Sequence, residues 1–129
     1  MNGSRYLLDT NAIVQLFDGN RQIAGLLNRA ESVAMSVISE FEFLAYAELD
    51  ERDLAEFKSF REYINVFDVP SDDFDFTQLV VEARKNFKLK LPDAIIAATA
   101  RANGLAVLTA DDHFKPLTDP WQVRFFTPN

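Results

Sequence analysis

The sequence predicts an α/β protein in which helices flank both faces of a mainly parallel sheet of about five strands. Short apolar runs alternate along the chain with segments whose apolar residues recur at helical spacing, a pattern typical of strand–helix–strand units. The chain has 129 residues, of which 48% are hydrophobic and 26% charged, an ordinary globular composition. This length fits one domain spanning residues 1–129.

The first two strands and helices are predicted as follows. Residues 6–8 form a short apolar run bounded by charge, which predicts a buried strand. Residues 9–11 offer helix-capping side chains before an apolar helical segment at residues 12–17. A second short helix covers residues 23–27, and residues 33–36 form the second predicted strand.

The middle of the chain is predicted to be mainly helical. Helices are predicted at residues 39–47 and 51–63, and the third strand at residues 65–69, where Pro70 stops it. A polar Ser-Asp-Asp start, followed by apolar residues at helical intervals, predicts another helix from residue 71 onward.

The last third contains one helix and two strands. Pro92 suits the first turn of a helix that runs to residue 100 and stops near Gly104. Residues 105–108 form the fourth predicted strand, and residues 122–126 form the fifth, at an edge of the sheet.

Several classes of protein are excluded or disfavoured by composition. Cysteine is absent, which excludes disulfides, thiolate zinc sites and cysteine nucleophiles. The N-terminal residues lack the regions of a signal peptide, and no apolar stretch approaches the ~20 residues that span a bilayer. A soluble cytoplasmic protein with no membrane association is therefore expected.

The charge distribution combines an acidic total with one local basic run. A formal net charge of −7 argues against a broad basic face for nucleic acid. Four basic residues nevertheless fall within seven positions just before Asp93, namely Arg84, Lys85, Lys88 and Lys90. We interpret this run as a local surface for nucleic-acid phosphates.

Four acidic residues fall where an α/β fold could gather them. Asp9 and Asp111 follow the first and fourth predicted strands, Glu42 lies on the helix after the second strand, and Asp93 lies in the first turn of the helix begun by Pro92. In parallel sheets, ligands bind beyond the carboxyl ends of the strands. Because clustered carboxylates repel one another, such a group predicts hard divalent cations such as Mg²⁺ and metal-dependent phosphoester chemistry.

Simpler explanations exist for some of these acids. Asp9 could cap the first helix, Asp93 could be a first-turn helix acid, and Asp111 could serve a turn. His113 is the only histidine, so a histidine metal cluster is excluded. The chain has neither a glycine-rich phosphate loop nor a Gly-x-Ser-x-Gly elbow.

Four segments together resemble the ordered motifs of PIN-domain ribonucleases, and in particular the VapC-type toxins of toxin–antitoxin pairs. The resemblance covers nearly the whole chain, and residues 91–100 (LPDAIIAATA) are its most specific part. The other segments are residues 7–11 (LLDTN), 36–44 (SVISEFEFL) and 108–114 (LTADDHF).

The resemblance implies a three-layer α/β/α sandwich with acids at the carboxyl end of the sheet. It assigns metal binding to Asp9, Glu42, Asp93 and Asp111, and support of that site to Asn11 and Thr109. It also implies Mg²⁺ or Mn²⁺ as cofactor, RNA as the substrate of an endonuclease, a cognate antitoxin and a homodimer. Phe41, Phe43, Phe57 and Phe60 are candidates for the partner-facing surface.

Two positions leave alternatives open within that resemblance. Glu40 competes with Glu42, and the spacing from Ser36 favours Glu42. The family often has an acid where this chain has His113, and the adjacent Asp112 is a possible substitute for binding a second metal.

Other functions fit less well. A haloacid-dehalogenase-type phosphatase needs an acid at the position of Asn11, and a receiver-like domain needs an acceptor Asp after the third strand, where Val69 and Pro70 stand. The remaining alternative is a PIN-like fold that only binds RNA or protein and performs no catalysis.

Overall fold

A computed structural model describes residues 4–46 and 48–129 of the chain, and within these residues it contains five strands and six α-helices. The strands are β1 (Arg5–Leu8), β2 (Ser32–Ser36), β3 (Asn65–Phe67), β4 (Ala106–Thr109) and β5 (Gln122–Phe125). The helices are α1 (Thr10–Phe17), α2 (Arg21–Arg29), α3 (Val37–Tyr46), α4 (Glu51–Glu62), α5 (Phe74–Asn86) and α6 (Leu91–Ala102). A short 3-10 turn covers Asp112–Phe114.

The five strands form one parallel sheet in the order β3-β2-β1-β4-β5. The chain builds outward from β1 through β2 to β3, and then returns to the other side of β1 with β4 and β5. The strand order therefore reverses between β1 and β4, and this is where α/β sheets open a crevice for ligands. The parallel sheet confirms the predicted fold class, and β5 lies at an edge as predicted.

Helices cover both faces of the sheet, because consecutive strand residues point to opposite sides. On one face, Leu8, Met35 and Leu108 pack with side chains from α1 to α4. On the other face, Leu7 and Val107 pack against α5 and α6. Both faces are buried at the central strands, where residues 6–8 and 106–108 are continuously apolar, and the three layers match the predicted α/β/α sandwich.

An aromatic cluster joins α1, α3 and α4 beneath one face. The ring of Phe43 lies 5.0 Å from that of Phe57, and Phe17 lies 5.4 Å from Phe43 and 5.7 Å from Phe60. Phe43 and Phe57 are buried, and Phe60 is half-buried. Of the four phenylalanines considered for a partner surface, only Phe41 is exposed, at 59%.

The predicted element bounds differ from the observed bounds mainly at the ends. α3 starts at Val37, two residues earlier than predicted, because the Ser36 hydroxyl accepts the backbone N–H of Ile38 and begins the helix directly after β2. Its predicted end at Ala47 lies outside the described residues, as do residues 1–3. β3 stops at Phe67, so it is two residues shorter than predicted.

The turn between α5 and α6 contains a left-handed residue that is not glycine. Lys88 has φ of 60°. The backbone N–H of Leu89 then bonds to the carbonyl of Ala83 at 3.3 Å, and the Leu89 side chain is buried. Burial of that leucine and the closing hydrogen bond offset the steric cost at Lys88.

None of the helices in residues 4–46 and 48–129 is both long and apolar enough to cross a membrane.

Candidate active site at the carboxyl end of the sheet

A cavity of about 710 Å³ opens where β1 and β4 end, at the point where the strand order reverses. We call it the acidic cavity, because all four predicted metal-binding acids line it. Its described lining residues are Asp9, Thr10, Asn11, Val14, Gln15, Glu42, Ala45, Tyr46, Asp93, Ala110, Asp111 and Pro128.

Asp9 lies at the base of this cavity and is only 4% exposed. Its backbone N–H bonds to the carbonyl of Leu108 at 3.0 Å, which extends the β1–β4 pairing by one residue. One carboxylate oxygen accepts the backbone N–H of Thr10 at 2.9 Å, so Asp9 is the N-cap of α1. Asp9 thus caps a helix and also presents a carboxylate to the cavity, so the two explanations of this residue are compatible.

Asn11 and Thr109 hold the second Asp9 oxygen. The Thr109 hydroxyl donates to it at 2.8 Å, and the Asn11 amide donates to it at 3.2 Å. The Asn11 side-chain oxygen in turn accepts the backbone N–H of Ala110 at 3.1 Å. The Thr109 hydroxyl also accepts the backbone N–H of Asp111 at 3.0 Å. These contacts join the ends of β1 and β4.

Glu42 reaches the cavity from the middle of α3. Its carboxylate accepts the hydroxyl of Thr10 at 2.5 Å, and this contact connects α3 to the first turn of α1. Glu40 points elsewhere, because residues two apart on a helix do not share a face. It is buried and receives two hydrogen bonds from Arg61 of α4. Of the two competing glutamates, Glu42 is therefore the one at the cavity.

Asp93 enters from the first turn of α6, directly after Pro92. Partial burial raises the pKa of Asp93, and the negative charges of Asp111 and Glu42 raise it further. The charges of His113 and Lys90 act in the opposite direction on this pKa. The carboxylates are thus close enough to repel one another.

Asp111 follows β4 and begins the 3-10 turn. Its carboxylate accepts the backbone N–H of His113 at 2.9 Å and lies 2.8 Å from the Nδ1 atom of the same histidine. The neighbouring Asp112 is exposed, pairs with Lys115 at 3.2 Å and does not line the acidic cavity. Asp112 therefore contributes no carboxylate there in this arrangement.

Burial has its largest electrostatic effect on Asp9. Desolvation raises the pKa of Asp9 from 3.8 to about 7, and the charges of Asp93 and Asp111 add to this increase. The hydrogen bonds from Thr109 and Thr10 lower the same pKa but do not offset burial. The fold therefore places a carboxylate where burial disfavours the ionised form, and a bound cation would favour that form.

The chemistry of the donors fits a divalent cation, although the side chains are not arranged around one. The described residues that line the cavity include four carboxylates and no Lys or Arg. Within residues 4–46 and 48–129, no group of three acidic or histidine side chains is arranged to hold one ion. One oxygen of Glu42 instead accepts the Thr10 hydroxyl, and one oxygen of Asp111 bonds to His113.

The predicted basic run lies in and after the last turn of α5. Arg84, Lys85, Lys88 and Lys90 are all exposed, and Lys90 is the residue immediately before α6. Lys90 is close enough to influence Asp93, while Arg84 and Lys85 lie beside the exposed apolar residues Val81 and Leu91. None of these four basic residues lines the acidic cavity.

Some contributors to this site carry no sequence signal of their own. Thr10 resembles any helix-start threonine, and only the structure shows its bond to Glu42. Val14, Tyr46 and Pro128 form an apolar part of the wall and come from three different segments. Their proximity depends on the tertiary fold.

Comparison with known proteins gives a family match over most of the chain. The sequence model of the family described as PIN domain matches residues 6–119. No curated protein sequence matches the chain significantly.

Solved structures of toxin–antitoxin complexes are similar over nearly the whole chain. A toxin–antitoxin complex from Klebsiella pneumoniae shares 28% identity with a TM-score of 0.75, covering 96% of this chain and 98% of that one. DNA-bound VapBC from Salmonella typhimurium shares 25% identity at a TM-score of 0.71, covering 98% of each chain. VapBC2 from Rickettsia felis, bound to a promoter DNA fragment, has a TM-score of 0.76 at 17% identity, covering 95% and 98%.

The raised pKa of Asp9 predicts that the metal-free protein loses stability as pH rises. The folded state binds the proton of the Asp9 carboxyl more tightly than the unfolded chain does. The stability that this proton contributes is therefore complete below pH 4 and is lost as pH passes through about 7. Between pH 5 and pH 8 the loss from this group is roughly 2 to 3 kcal/mol. Asp9→Asn removes the titrating carboxyl. The free energy of unfolding of the variant should therefore exceed that of wild type, and the difference should grow from pH 5 to pH 8.

Urea denaturation in chelator at pH 5 and pH 8 measures this difference. Asp72→Asn, at an exposed bend before α5, is the matched control and should follow wild type at both pH values. A difference between Asp9→Asn and wild type that is the same at pH 5 and pH 8 would contradict the predicted titration.

Proposed function

The chain belongs to the PIN domain family, and from this premise we propose that it is a metal-dependent endoribonuclease, the toxin of a toxin–antitoxin pair. The observation that carries the proposal is the convergence of Asp9, Glu42, Asp93 and Asp111 on one cavity where the strand order reverses. Four carboxylates in one cavity, with no Lys or Arg among its described lining residues, are costly for a protein that only binds RNA or another protein. They are useful to one that recruits cations to a phosphodiester.

The proposed reaction is hydrolysis of an RNA phosphodiester that leaves 5′-phosphate and 3′-hydroxyl ends. Bound Mg²⁺ or Mn²⁺ would activate the attacking water and neutralise charge on the scissile phosphate. Asp9, held by Thr10, Asn11 and Thr109, is the fixed ligand. Glu42 and Asp93 supply further ligand oxygens from α3 and α6.

Asp111 is the fourth proposed ligand, and its neighbour His113 bears on the number of metals. The Asp111 carboxylate bonds to His113, and Asp112 faces Lys115 outside the cavity. With Asp112 outside the cavity, the protein would offer carboxylates for at most one metal before substrate arrives. A second ion would then depend on phosphate oxygens from the RNA for part of its coordination.

The basic run gives an acidic protein a local path for RNA. Lys90 stands beside Asp93, and Lys88, Lys85 and Arg84 continue along the exposed surface. Exposed cations at this position attract phosphates on either side of the cleaved bond, while the net charge of −7 discourages non-specific binding elsewhere.

A cognate antitoxin is the second proposed partner, suggested by the similar toxin–antitoxin complexes. A groove of about 390 Å³ runs between α3 and α4, with Leu44 and Leu54 partly exposed and Phe41 nearby. An apolar antitoxin segment would bury these side chains, and a basic tail would compensate the four carboxylates.

A second copy of this chain is the third proposed partner. Phe74, Val81 and Leu91 leave an exposed apolar surface on α5 and at the start of α6. This surface lies on the opposite side of the sheet from the α3–α4 groove, so a homodimer would leave the antitoxin groove open. Arg84 and Lys85 border the same surface, so a homodimer would place this part of the proposed RNA path at the edge of its interface.

Cleavage should depend on a divalent metal and on Glu42, and should not depend on Glu40. We expect discrete fragments from total bacterial RNA with Mg²⁺ or Mn²⁺ and none with chelator. Glu42→Gln, Asp9→Asn and Asp93→Asn should each lower the rate by at least about 100-fold, because each removes a proposed ligand. The assay requires protein purified free of any bound antitoxin.

Glu40→Gln is the matched control on the same helix. It removes the charge paired with Arg61, so it should cost about 1 to 2 kcal/mol of stability and retain cleavage once corrected for the folded fraction. Equal loss of cleavage in Glu40→Gln and Glu42→Gln would contradict the assignment. If wild type cleaves no RNA with either metal, the non-catalytic alternative replaces the proposal.

Neutralising the basic run should weaken RNA binding and flatten its salt dependence. For the fourfold variant with glutamine at residues 84, 85, 88 and 90, the slope of log K against log salt should fall by about 0.7 per lost phosphate contact. Arg52→Gln with Lys58→Gln on α4 is the control, since these exposed cations lie on a different helix. An unchanged slope in the fourfold variant would place the RNA path elsewhere.

A charge placed in the α3–α4 groove should reduce antitoxin binding without reducing cleavage. Leu44→Asp and Leu54→Asp would each bury a carboxylate in the proposed apolar contact. Co-purification with a co-expressed cognate antitoxin measures the interaction, and Val69→Asp, at an exposed position after β3, is the control. Undiminished co-purification of both groove variants would exclude this surface.

A further inference from the structure

The acidic cavity is larger and more apolar than a metal site requires. Six waters around a hydrated Mg²⁺ take roughly 180 Å³ at about 30 Å³ each, whereas the cavity holds about 710 Å³. Besides the carboxylates and the polar Thr10, Asn11 and Gln15, the lining includes the apolar side chains of Val14, Ala45 and Pro128 and the ring of Tyr46. These apolar side chains offer no ligand atoms to a hard cation.

Tyr46 is the principal side chain of this apolar wall. It lies one helical turn after Glu42 on α3, so both side chains project toward the same cavity. Its ring is 73% exposed, so the fold gains little from burying it. A large exposed ring beside a group of carboxylates offers a flat apolar surface next to the proposed reaction centre.

Pro128 provides a second, fixed apolar surface. The backbone N–H of Thr127 bonds to Gln22 at 2.8 Å, and its carbonyl accepts the Asn20 amide at 3.0 Å. The backbone N–H of Asn129 bonds to Gln15 at 2.7 Å. Because both neighbours of Pro128 are held, its ring stays at the cavity wall.

We propose that Tyr46, with Val14 and Pro128, forms a stacking platform for the nucleobase next to the scissile phosphate. The inference rests on the proposed ribonuclease function and adds to it a residue that contacts substrate. Single-stranded RNA bases stack on aromatic side chains when they are splayed out of a helix. A base on Tyr46 would hold the RNA with its phosphate near the carboxylates that line the same cavity, so the stack would contribute to substrate affinity.

Binding of short RNAs tests the platform. The Asp9→Asn protein is titrated in Mg²⁺ into three fluorescein-labelled decamers, and binding is followed by anisotropy. The decamers are adenylate, uridylate and the same backbone without bases. Adding Tyr46→Ala should raise Kd for the adenylate decamer about 5- to 150-fold, the loss of one base stack. Kd for the baseless decamer should change less than about twofold, and Tyr46→Trp should retain binding.

Tyr63→Ala is the matched control, because Tyr63 is also an exposed tyrosine, at 89%, and lies after α4 away from the cavity. In the cleavage-competent background, Tyr46→Ala should raise KM for a substrate RNA by the same factor while kcat changes little. This second measurement stands even if Asp9→Asn weakens binding of all three decamers.

The outcomes separate the two proposals. Two results would overturn the platform and leave the ribonuclease proposal intact. The first is wild-type cleavage together with the same KM for Tyr46→Ala and Tyr63→Ala. The second is an equal rise in Kd for the adenylate and baseless decamers in Tyr46→Ala. Absence of both cleavage and RNA binding in the wild-type protein overturns the ribonuclease, and the platform with it.

Discussion

The buried carboxylate of Asp9 is the feature on which the rest of the site depends. It lies where β1 and β4 end, and one oxygen starts α1 while the other joins Asn11 to Thr109. These neutral donors stabilise the carboxylate without adding positive charge, so burial still raises its pKa to about 7. The fold has thus retained a destabilised acid that a cation would stabilise, which is more easily explained by ligand binding than by structure alone.

The remaining acids reach the same cavity because the sheet is parallel and its strand order reverses beside β1. Each crossover returns the chain to the same end of the sheet, so the segments after β1 and β4 meet at the cavity, and α3, which follows β2, passes beside it. A parallel sheet therefore brings together four acidic residues, between positions 9 and 111, that are far apart in the sequence. The cost is burial of the carboxylates together with their mutual repulsion, and both raise the pKa of Asp93.

Much of the fold was predictable from sequence, because the strands are short, apolar and bounded by breakers, and the helices keep regular apolar spacing. The convergence of Asp9, Glu42, Asp93 and Asp111 at one cavity was also predictable. Asp9 and Asp111 follow parallel strands, Asp93 lies just after Pro92 at a helix start, and the family resemblance favoured Glu42 over Glu40. Contacts between side chains were not predictable: the bond from Thr10 to Glu42 depends on how α1 packs against α3. The left-handed Lys88 likewise had no glycine to signal it.

The two glutamates of α3 show that a separation of two residues on a helix gives two side chains different neighbours. Because α3 begins at Val37 immediately after β2, the side chains at residues 40 and 42 project in well-separated directions around the helix axis. One meets Arg61 of α4 and joins two helices, and the other meets Thr10 at the cavity. Tyr46 follows Glu42 by one turn, so the same helix face carries the proposed metal-binding carboxylate and the proposed base-stacking ring. The hydroxyl of Ser36 accepts the backbone N–H of Ile38 at the start of this helix, and the register of α3 set there determines which side chains face the cavity.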